Sequence, residues 1–330
     1  MSVPKPGQYC FEQLHIDVAR NTTDDFNPFH DPMRWHRVRG NPFGSTIVLG
    51  FQTEFLVSDL VERQRRQAGE DRLAQSAGLH FSNFEFRFAG VLRPGERFSV
   101  EVRRTIDKTA SGGGLSNRIM VRKLDQDPVL IGTQSETQSP RCSAEIDLNA
   151  LPPLDQVADR AVIGDGRYFL KRKHLTVSNG KNFVLAGLGT QQDYFDELDE
   201  FVRFPPVFTA ALMSCGLLEK AWREGYDFEA DPVVYTSHQI SVDRRLQSAL
   251  RSNDQIHLLL EGPLELANGG GLGGRADGQQ RYQVFGIVDG PAVLFRAGVQ
   301  MAALHSMPCL LYTSPSPRDC NEYLVCRLLL

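Results

Sequence analysis

The chain lacks the features that mark nucleic-acid-binding, membrane-spanning or secreted proteins. Its 330 residues carry a formal net charge of −4 from 36 basic and 40 acidic side chains, so no global basic field attracts nucleic acid or an anionic membrane. No window holds the roughly 18 consecutive apolar residues that a spanning helix needs. The amino-terminal segment lacks the charged-then-apolar pattern of a secretory signal. These absences predict a cytoplasmic protein without nucleic-acid or membrane partners.

Cysteine and histidine are too scattered to indicate a disulfide framework or a metal site. Of the six cysteines, Cys10, Cys142 and Cys215 lie far apart without a CxxC pair, which is typical of reduced thiols. The other three fall in the carboxyl-terminal segment. The histidines form no HxxxH pair and no Cys/His cluster, so the sequence predicts neither a metal nor a cofactor.

The carboxyl-terminal segment has an unusual composition that predicts an artefact. Residues 309–319 read CLLYTSPSPRD and resemble a translated sequencing adapter. Residues 323–330, YLVCRLLL, resemble the flow-cell end of the same adapter. Because two separate blocks match, we interpret 309–330 as an assembly artefact and leave it out of the fold prediction. The alternative is a natural tail rich in proline and serine.

The first unit, residues 1–140, contains an apolar stripe between residues 47 and 61. Apolar residues recur there with a period near 3.6, which favours a helix. They are Ile47, Val48, Phe51, Phe55, Leu56, Leu60 and Val61. We expect the helix to begin around Gly44 or Ser45, where the Ser45 hydroxyl would cap it.

Alternating apolar residues after this helix predict antiparallel strands. Two such runs flank the turn sequence RPGE and predict a hairpin; their apolar positions are Phe84, Phe86 and Phe88, then Phe98, Val100 and Val102. A further pair of strands flanks the turn sequence DQDP at 125–128. A helix followed by several antiparallel strands indicates the α+β class.

The second part of the chain repeats this order. After a linker at 141–167, residues 168–308 contain an apolar helix at 204–226, a strand, loop and strand within 233–262, and a hairpin with Asp289 and Gly290 at its tip. This weak duplication predicts two copies of one fold. The glycine run at 268–274 has no strand-to-helix context and favours a flexible hairpin loop over a phosphate-binding loop.

The most specific pattern in the chain is DDFNPFH at residues 24–30. Its Asp25, Asn27, Pro28 and His30 match the motif Asp-x-Asn-Pro-x-His, and the chain thereby resembles the MaoC-like (R)-specific enoyl-CoA hydratases and dehydratases of the hot-dog superfamily. The resemblance covers the first unit, and the second unit only in layout. It implies a double hot-dog fold, a pseudo-dimer within one chain, in which each half wraps a curved antiparallel sheet around a long central helix. Association of two such chains into a homodimer is a further option that the sequence leaves open.

One position departs from the family pattern. Where the family has Ile-x-His-Gly on its central helix, this chain has Ile47, Val48, Leu49 and Gly50. In the family, backbone N–H groups near the glycine polarise the thioester carbonyl. A backbone donor does not need the histidine side chain, so Leu49 is compatible with that role and instead alters packing or substrate fit.

The resemblance implies a division of roles for adding water to an enoyl thioester. The reaction needs a proton acceptor for water, a proton donor for the α-carbon, and a donor to the developing enolate oxygen. His30 suits proton transfer because histidine titrates near neutrality. Asp25 would hold and orient the water or share in the proton transfer, and the Gly50 N–H, with its neighbours, would form the oxyanion hole. Around them, Asn27 and Pro28 would set the turn, and Phe26, Phe29 and Leu49 would contact substrate.

The leading hypothesis is therefore a lyase that hydrates or dehydrates an acyl thioester of CoA or of acyl-carrier protein. Two alternatives share the fold: an acyl-CoA thioesterase and a non-catalytic acyl-binding protein. The second unit has Asp193, Asp196 and Asp199 before its helix but no histidine at the required spacing, which favours a solvated face. Arg34, Arg37 and Arg39 suit either the phosphates of a CoA or carrier arm or an ordinary solvated surface.

Overall fold

The structure is a computed structural model that describes residues 7–264, 279–288 and 291–306. Three sequence predictions fall outside these ranges: the adapter-like segment 309–330, the glycine-run loop at 268–274, and the hairpin tip at Asp289 and Gly290.

Seven α-helices and fourteen strands make up the described part of the chain, apart from short 3₁₀ turns. The helices are α1 (Gln13–Thr23), α2 (Gly50–Ala68), α3 (Glu70–Ser76), α4 (Val177–Ala186), α5 (Pro206–Ala211), α6 (Met213–Arg223) and α7 (Arg244–Ala249). The strands are β1 (Gln8–Cys10), β2 (Phe81–Phe88), β3 (Arg97–Val102), β4 (Ile106–Asp107), β5 (Leu115–Lys123), β6 (Pro128–Thr137), β7 (Val162–Ile163), β8 (Tyr168–His174), β9 (Phe195–Asp196), β10 (Phe201–Val202), β11 (Val233–Asp243), β12 (Gln255–Leu264), β13 (Gln279–Val288) and β14 (Ala292–Ala303). No helix in these ranges combines the length and the apolar character that crossing a bilayer requires.

One antiparallel sheet of twelve strands runs through both halves of the chain. Its order is β1-β3-β5-β6-β2-β11-β14-β13-β12-β8-β7, with β4 beside β5. The first half contributes β1-β3-β5-β6-β2, and the second contributes the equivalent order β8-β12-β13-β14-β11. The halves meet where β2 pairs with β11, with Phe84 opposite Ile240. The predicted α+β class and the predicted duplication are therefore confirmed.

Helix α2 is the central helix of the first half, but it begins later than the sequence predicts. The N–H groups of Ile47 and Val48 donate to the carbonyl oxygens of Phe29 and Leu92, at 3.1 and 2.9 Å. Those bonds hold the two residues in a segment outside the helix. The helix starts at Gly50, so the expected start near Gly44 or Ser45 was wrong. The later positions of the predicted stripe, Phe51, Phe55, Leu56 and Val61, are buried in the core.

The predicted hairpin across RPGE was also wrong, because β2 and β3 are not neighbours. Strand β2 lies between β6 and β11, whereas β3 lies between β1 and β5. In the connection, the Gly90 N–H donates to the Val129 carbonyl at 3.2 Å, and the Gly95 N–H donates to the Phe11 carbonyl at 2.8 Å. These two bonds hold the β2–β3 connection against β6 and against the segment before α1. The second predicted pair, β5 with β6, is confirmed.

The second half also differs from its sequence predictions in its helices and in the order of its strands. The predicted single helix consists of α5 and α6, which meet at Leu212. The predicted loop between β11 and β12 contains α7, and Asp243 caps this helix by accepting from the N–H groups of Arg245 and Leu246. The two strands β11 and β12 are separated by β14 and β13. Pairing of β13 with β14, the predicted hairpin strands, is confirmed.

Aromatic side chains join the two halves in one core. The Phe55 ring of α2 contacts the rings of Phe183 and Tyr194 at 5.5 and 5.7 Å between centroids, and Phe183 contacts Phe208 at 5.2 Å. The predicted linker, 141–167, contributes to a second apolar cluster. Its buried members pack with residues of β8, β12 and β13; they are Cys142, Ala144 and Leu154.

Candidate active site

The sequence motif forms a tight turn directly after α1. Asp24 has the left-handed backbone conformation, with φ of 54°, and ends the helix. The Asp25 carboxylate is buried and accepts a hydrogen bond from the Asn27 N–H at 3.0 Å. The Asn27 side chain in turn accepts from the Phe29 N–H at 3.1 Å and caps the short 3₁₀ helix Pro28–His30. The motif thus fixes its own acidic side chain through local hydrogen bonds.

The His30 ring is oriented by the segment that leads into α2. Its Nδ1 atom lies 2.8 Å from the Ile47 carbonyl oxygen, and the side chain is only 8% exposed. A carbonyl oxygen can only accept, so Nδ1 carries the proton in this bond. In the neutral ring Nε2 is then unprotonated and can accept a proton. The Ile47 N–H donates to the Phe29 carbonyl, which ties the same segment back to the motif.

Gly50 supplies the first N–H group of α2. The first N–H groups of a helix have no acceptor within the helix and carry its positive dipole end. Gln52 occupies the neighbouring donor, since its Oε1 accepts from the Leu49 N–H at 3.2 Å. A Cβ atom on Gly50 would lie 2.9 Å from Cζ of Phe88. Glycine is therefore the residue that lets the Phe88 ring lie against the start of the helix.

A cavity of about 490 Å³ brings the predicted catalytic residues together with side chains of the second half. Its size falls in the range of small-molecule sites. From the first half it is lined by residues that include Asp25, Asn27, Phe29, His30, Val48, Gly50 and Phe88. From the second half it is lined by residues that include Leu217, Leu218, Glu224, Tyr226, Asp227, Asp231, Tyr235, Tyr282 and Met301. The motif and the start of α2 thus face one largely apolar cavity.

Of the three predicted substrate-contacting residues, the structure brings one to this cavity. Phe29 lines it and packs against Phe43, with 5.7 Å between ring centroids. Phe26 is 39% exposed and contacts Phe228 edge-on. Leu49 is buried in the central core. Neither Phe26 nor Leu49 is among the residues that line the cavity.

A buried glutamate–histidine pair adjoins the site, and sequence reasoning missed it. Glu54 of α2 and His238 of β11 are both fully buried, and His238 Nδ1 lies 2.8 Å from Glu54 Oε1. The His238 ring stacks on Phe51 at 4.7 Å and meets the edges of Phe88 and Tyr235 at 5.0 and 4.6 Å. The one sequence feature that points to this pair is Glu54, an acidic residue within the apolar stripe of α2.

Arg34 near the motif and Asp193 before α5 each pair with oppositely charged side chains. Arg34 forms an exposed ion pair with Glu229 at 3.1 Å. Asp193 pairs with Arg63 and Arg66 of α2 at 3.4 and 3.1 Å, so it joins the two halves rather than standing alone on a solvated face. Within the described ranges, no group of three or more histidine, cysteine or acidic side chains is arranged to hold a metal ion.

Comparison with known proteins identifies the fold. The sequence matches no protein-family model and no curated protein. Solved structures match over most of the chain. A MaoC-like dehydratase has a TM-score of 0.53 at 11% identity, over 90% of this chain and 96% of that one. A putative MaoC domain protein dehydratase from Chloroflexus aurantiacus has a TM-score of 0.55 at 10% identity, over 90% and 93%.

A third match names the architecture. A conserved hypothetical protein from Mycobacterium tuberculosis, described as having a double hotdog fold, has a TM-score of 0.50 at 11% identity, over 90% of this chain and 93% of that one. The chain has a double hot-dog fold. The double hot-dog fold predicted from the motif and the duplication is thereby confirmed, with α2 and the α5–α6 pair as its two central helices. At 10–11% sequence identity these structural matches establish the fold alone. The reaction has to be argued from the chemistry of the site.

Proposed function

We propose that this double hot-dog protein is a hydro-lyase that adds water to an enoyl thioester, or removes it from a 3-hydroxyacyl thioester, of CoA or of acyl-carrier protein. The observation that carries the proposal is that Asp25, His30 and Gly50 line one cavity. A proton-transfer group, a carboxylate and a backbone N–H would then face a molecule bound in this cavity. These are the three groups that hydration requires.

His30 would act as the proton-transfer group. The Ile47 carbonyl, 2.8 Å from Nδ1, keeps the proton on that atom and leaves Nε2 to accept a proton from water. Asp25 would hold the water. Its carboxylate has one oxygen fixed by the Asn27 N–H at 3.0 Å, which limits its freedom before substrate arrives. Burial of both side chains excludes competing bulk water.

The start of α2 would stabilise the negative charge that develops on the thioester oxygen. When water adds to the β-carbon, electron density moves to this oxygen, and a fixed N–H donor at a helix start stabilises it. Gly50 offers such a donor, and because it has no side chain of its own the Phe88 ring can pack beside it. The reaction moves protons and oxygen without electron transfer, so it needs no redox cofactor.

The test is turnover of a short enoyl thioester by the purified chain. With crotonyl-CoA, we expect the ultraviolet absorbance of the conjugated thioester to fall and 3-hydroxybutyryl-CoA to appear. A thioesterase would instead release free CoA thiol from saturated and unsaturated acyl-CoA alike. Binding without either product would indicate an acyl-binding protein. Either of these last two results would overturn the proposed reaction.

A further inference from the structure

A tyrosine from the motif-free half lies in the cavity beside the motif. Tyr235 of β11 lines the same space as Asp25, His30 and Gly50. We propose that its hydroxyl is a further catalytic group, which donates a hydrogen bond to the oxygen that joins or leaves the β-carbon of the acyl thioester. This inference rests on the proposed function and adds a residue from the second half to its machinery.

A β-bulge aims Tyr235 into the cavity. Between β11 and β14, Tyr235 lies opposite Met301 and Ser237 lies opposite Gln300, so Thr236 is an extra residue on β11. Side chains alternate along a strand, and an odd separation normally puts two residues on opposite faces. The extra residue instead brings Tyr235 to the face of His238, and the two rings lie 4.6 Å apart. Bulges that re-aim a side chain are enriched beside active sites.

The surrounding rings place Tyr235 at the start of α2. Its ring lies 6.4 Å from that of Phe51, the residue directly after Gly50. On another side it meets His238, which is fixed by Glu54. The tyrosine therefore has neighbours from α2 and from its own strand that hold its ring in place.

The Tyr235 hydroxyl has one hydrogen-bond partner among the described residues, and it keeps its own hydrogen when that partner donates. It lies 3.2 Å from the Ser214 hydroxyl of α6, and either oxygen can donate in that bond. When Ser214 donates, Tyr235 keeps its own hydrogen for a molecule in the cavity. Burial, and next the nearby Asp25 carboxylate, raise the pKa of Tyr235 above its ordinary value. The group therefore stays protonated at neutral pH and remains a donor.

This donor complements the two acceptors of the motif. As water adds, its oxygen bonds to the β-carbon while one of its protons passes to Nε2 of His30, and His30 returns that proton to the α-carbon as the double bond becomes single. Tyr235 keeps its proton throughout and holds the oxygen in line with the β-carbon. Asp25, from the first half of the chain, and Tyr235, from the second, would then both hydrogen-bond to this oxygen.

The experiment compares two ligands that differ by that oxygen. The full chain and its Tyr235→Phe variant are titrated by calorimetry with 3-hydroxybutyryl-CoA and with butyryl-CoA, and their crotonyl-CoA hydration rates are measured in parallel. Tyr9→Phe, which removes a tyrosine hydroxyl from β1 outside the cavity, is the matched control. Thermal denaturation checks that each variant is folded.

We expect Tyr235→Phe to weaken binding of the 3-hydroxy ligand about three- to tenfold and to leave binding of the saturated ligand unchanged. Hydration should slow by about tenfold or more, chiefly in kcat. Ser214→Ala should shift both readings in the same direction by a smaller factor. Equal losses for both ligands, or no loss for either, would overturn the inference alone. Failure of the wild-type chain to bind either thioester would overturn the proposed function and this inference with it.

Discussion

The Nδ1 atom of His30 lies 2.8 Å from the carbonyl oxygen of Ile47. This contact links the motif turn to the segment that becomes α2, and it decides which ring nitrogen is free. Because the same segment ends at Gly50, the histidine and the helix start are positioned by one stretch of backbone.

Removing either motif side chain should abolish most of the hydration activity. We expect His30→Ala and Asp25→Asn each to lower kcat for crotonyl-CoA by about 10²–10⁴, the usual contribution of a general acid–base group. The rate is read from the loss of enoyl absorbance. His36→Ala is the matched control, since His36 is exposed near the motif and does not line the cavity. Wild-type rates in both motif variants would refute their assigned roles.

A methyl group on Gly50 should displace the Phe88 ring. The new Cβ would lie 2.9 Å from Cζ of Phe88, which is too close for both to keep their positions. We expect Gly50→Ala to lower kcat and to reduce the free energy of unfolding by about 1–3 kcal/mol, as overpacking does. The double variant Gly50→Ala/Phe88→Leu should recover part of the lost stability. Additive losses in urea denaturation would contradict this contact.

The buried Glu54–His238 pair should contribute measurably to stability. Glu54→Ala leaves the His238 Nδ1 atom without its partner, 2.8 Å away in the native chain. We expect the free energy of unfolding in urea to fall by about 1–3 kcal/mol. Glu101→Ala is the control, because Glu101 pairs with Arg103 at the surface, with side chains 56% and 50% exposed. Its loss should stay below about 1 kcal/mol; a loss equal to that of Glu54→Ala would contradict the assigned difference.

Cys215 should resist alkylation in the folded chain. Burial raises the pKa of its thiol from 9.0 to about 12, so the reactive thiolate is scarce at neutral and mildly alkaline pH. Cys10 lies half-buried on β1 and should react first, although burial raises its pKa as well. Peptide mass spectrometry after timed alkylation measures both sites. Equal rates at Cys215 and Cys10 before unfolding would contradict the burial of Cys215.

Local patterns predicted the parts of the fold that local interactions decide. The apolar stripe from Phe51 to Val61 identified α2, and the turn at 125–128 identified the β5–β6 pair. Alternation also located β2 and β3 correctly. It could not say that they are separated in the sheet, because a period of two reports a buried face and carries no information on which strand is adjacent.

The motif could be recognised from the sequence, whereas its neighbours from the second half could not. Asp25 and His30 occur at a fixed spacing within one turn. Tyr235 reaches the cavity through the pairing of β2 with β11 and through the extra residue at Thr236. Glu54 and His238 are 184 residues apart. Local sequence patterns do not report contacts between residues so far apart in the chain. These contacts can therefore be identified only in the folded structure.

The most direct measurement follows the oxygen atom of the water. The wild-type chain and the His30→Ala variant are incubated with crotonyl-CoA in water enriched in heavy oxygen, and the products are analysed by mass spectrometry. If Asp25 and His30 direct water to the β-carbon, the wild type yields 3-hydroxybutyryl-CoA with one heavy oxygen on carbon 3, and the variant yields little. Heavy oxygen in a released carboxylate, or the absence of any labelled 3-hydroxybutyryl-CoA, would contradict the account.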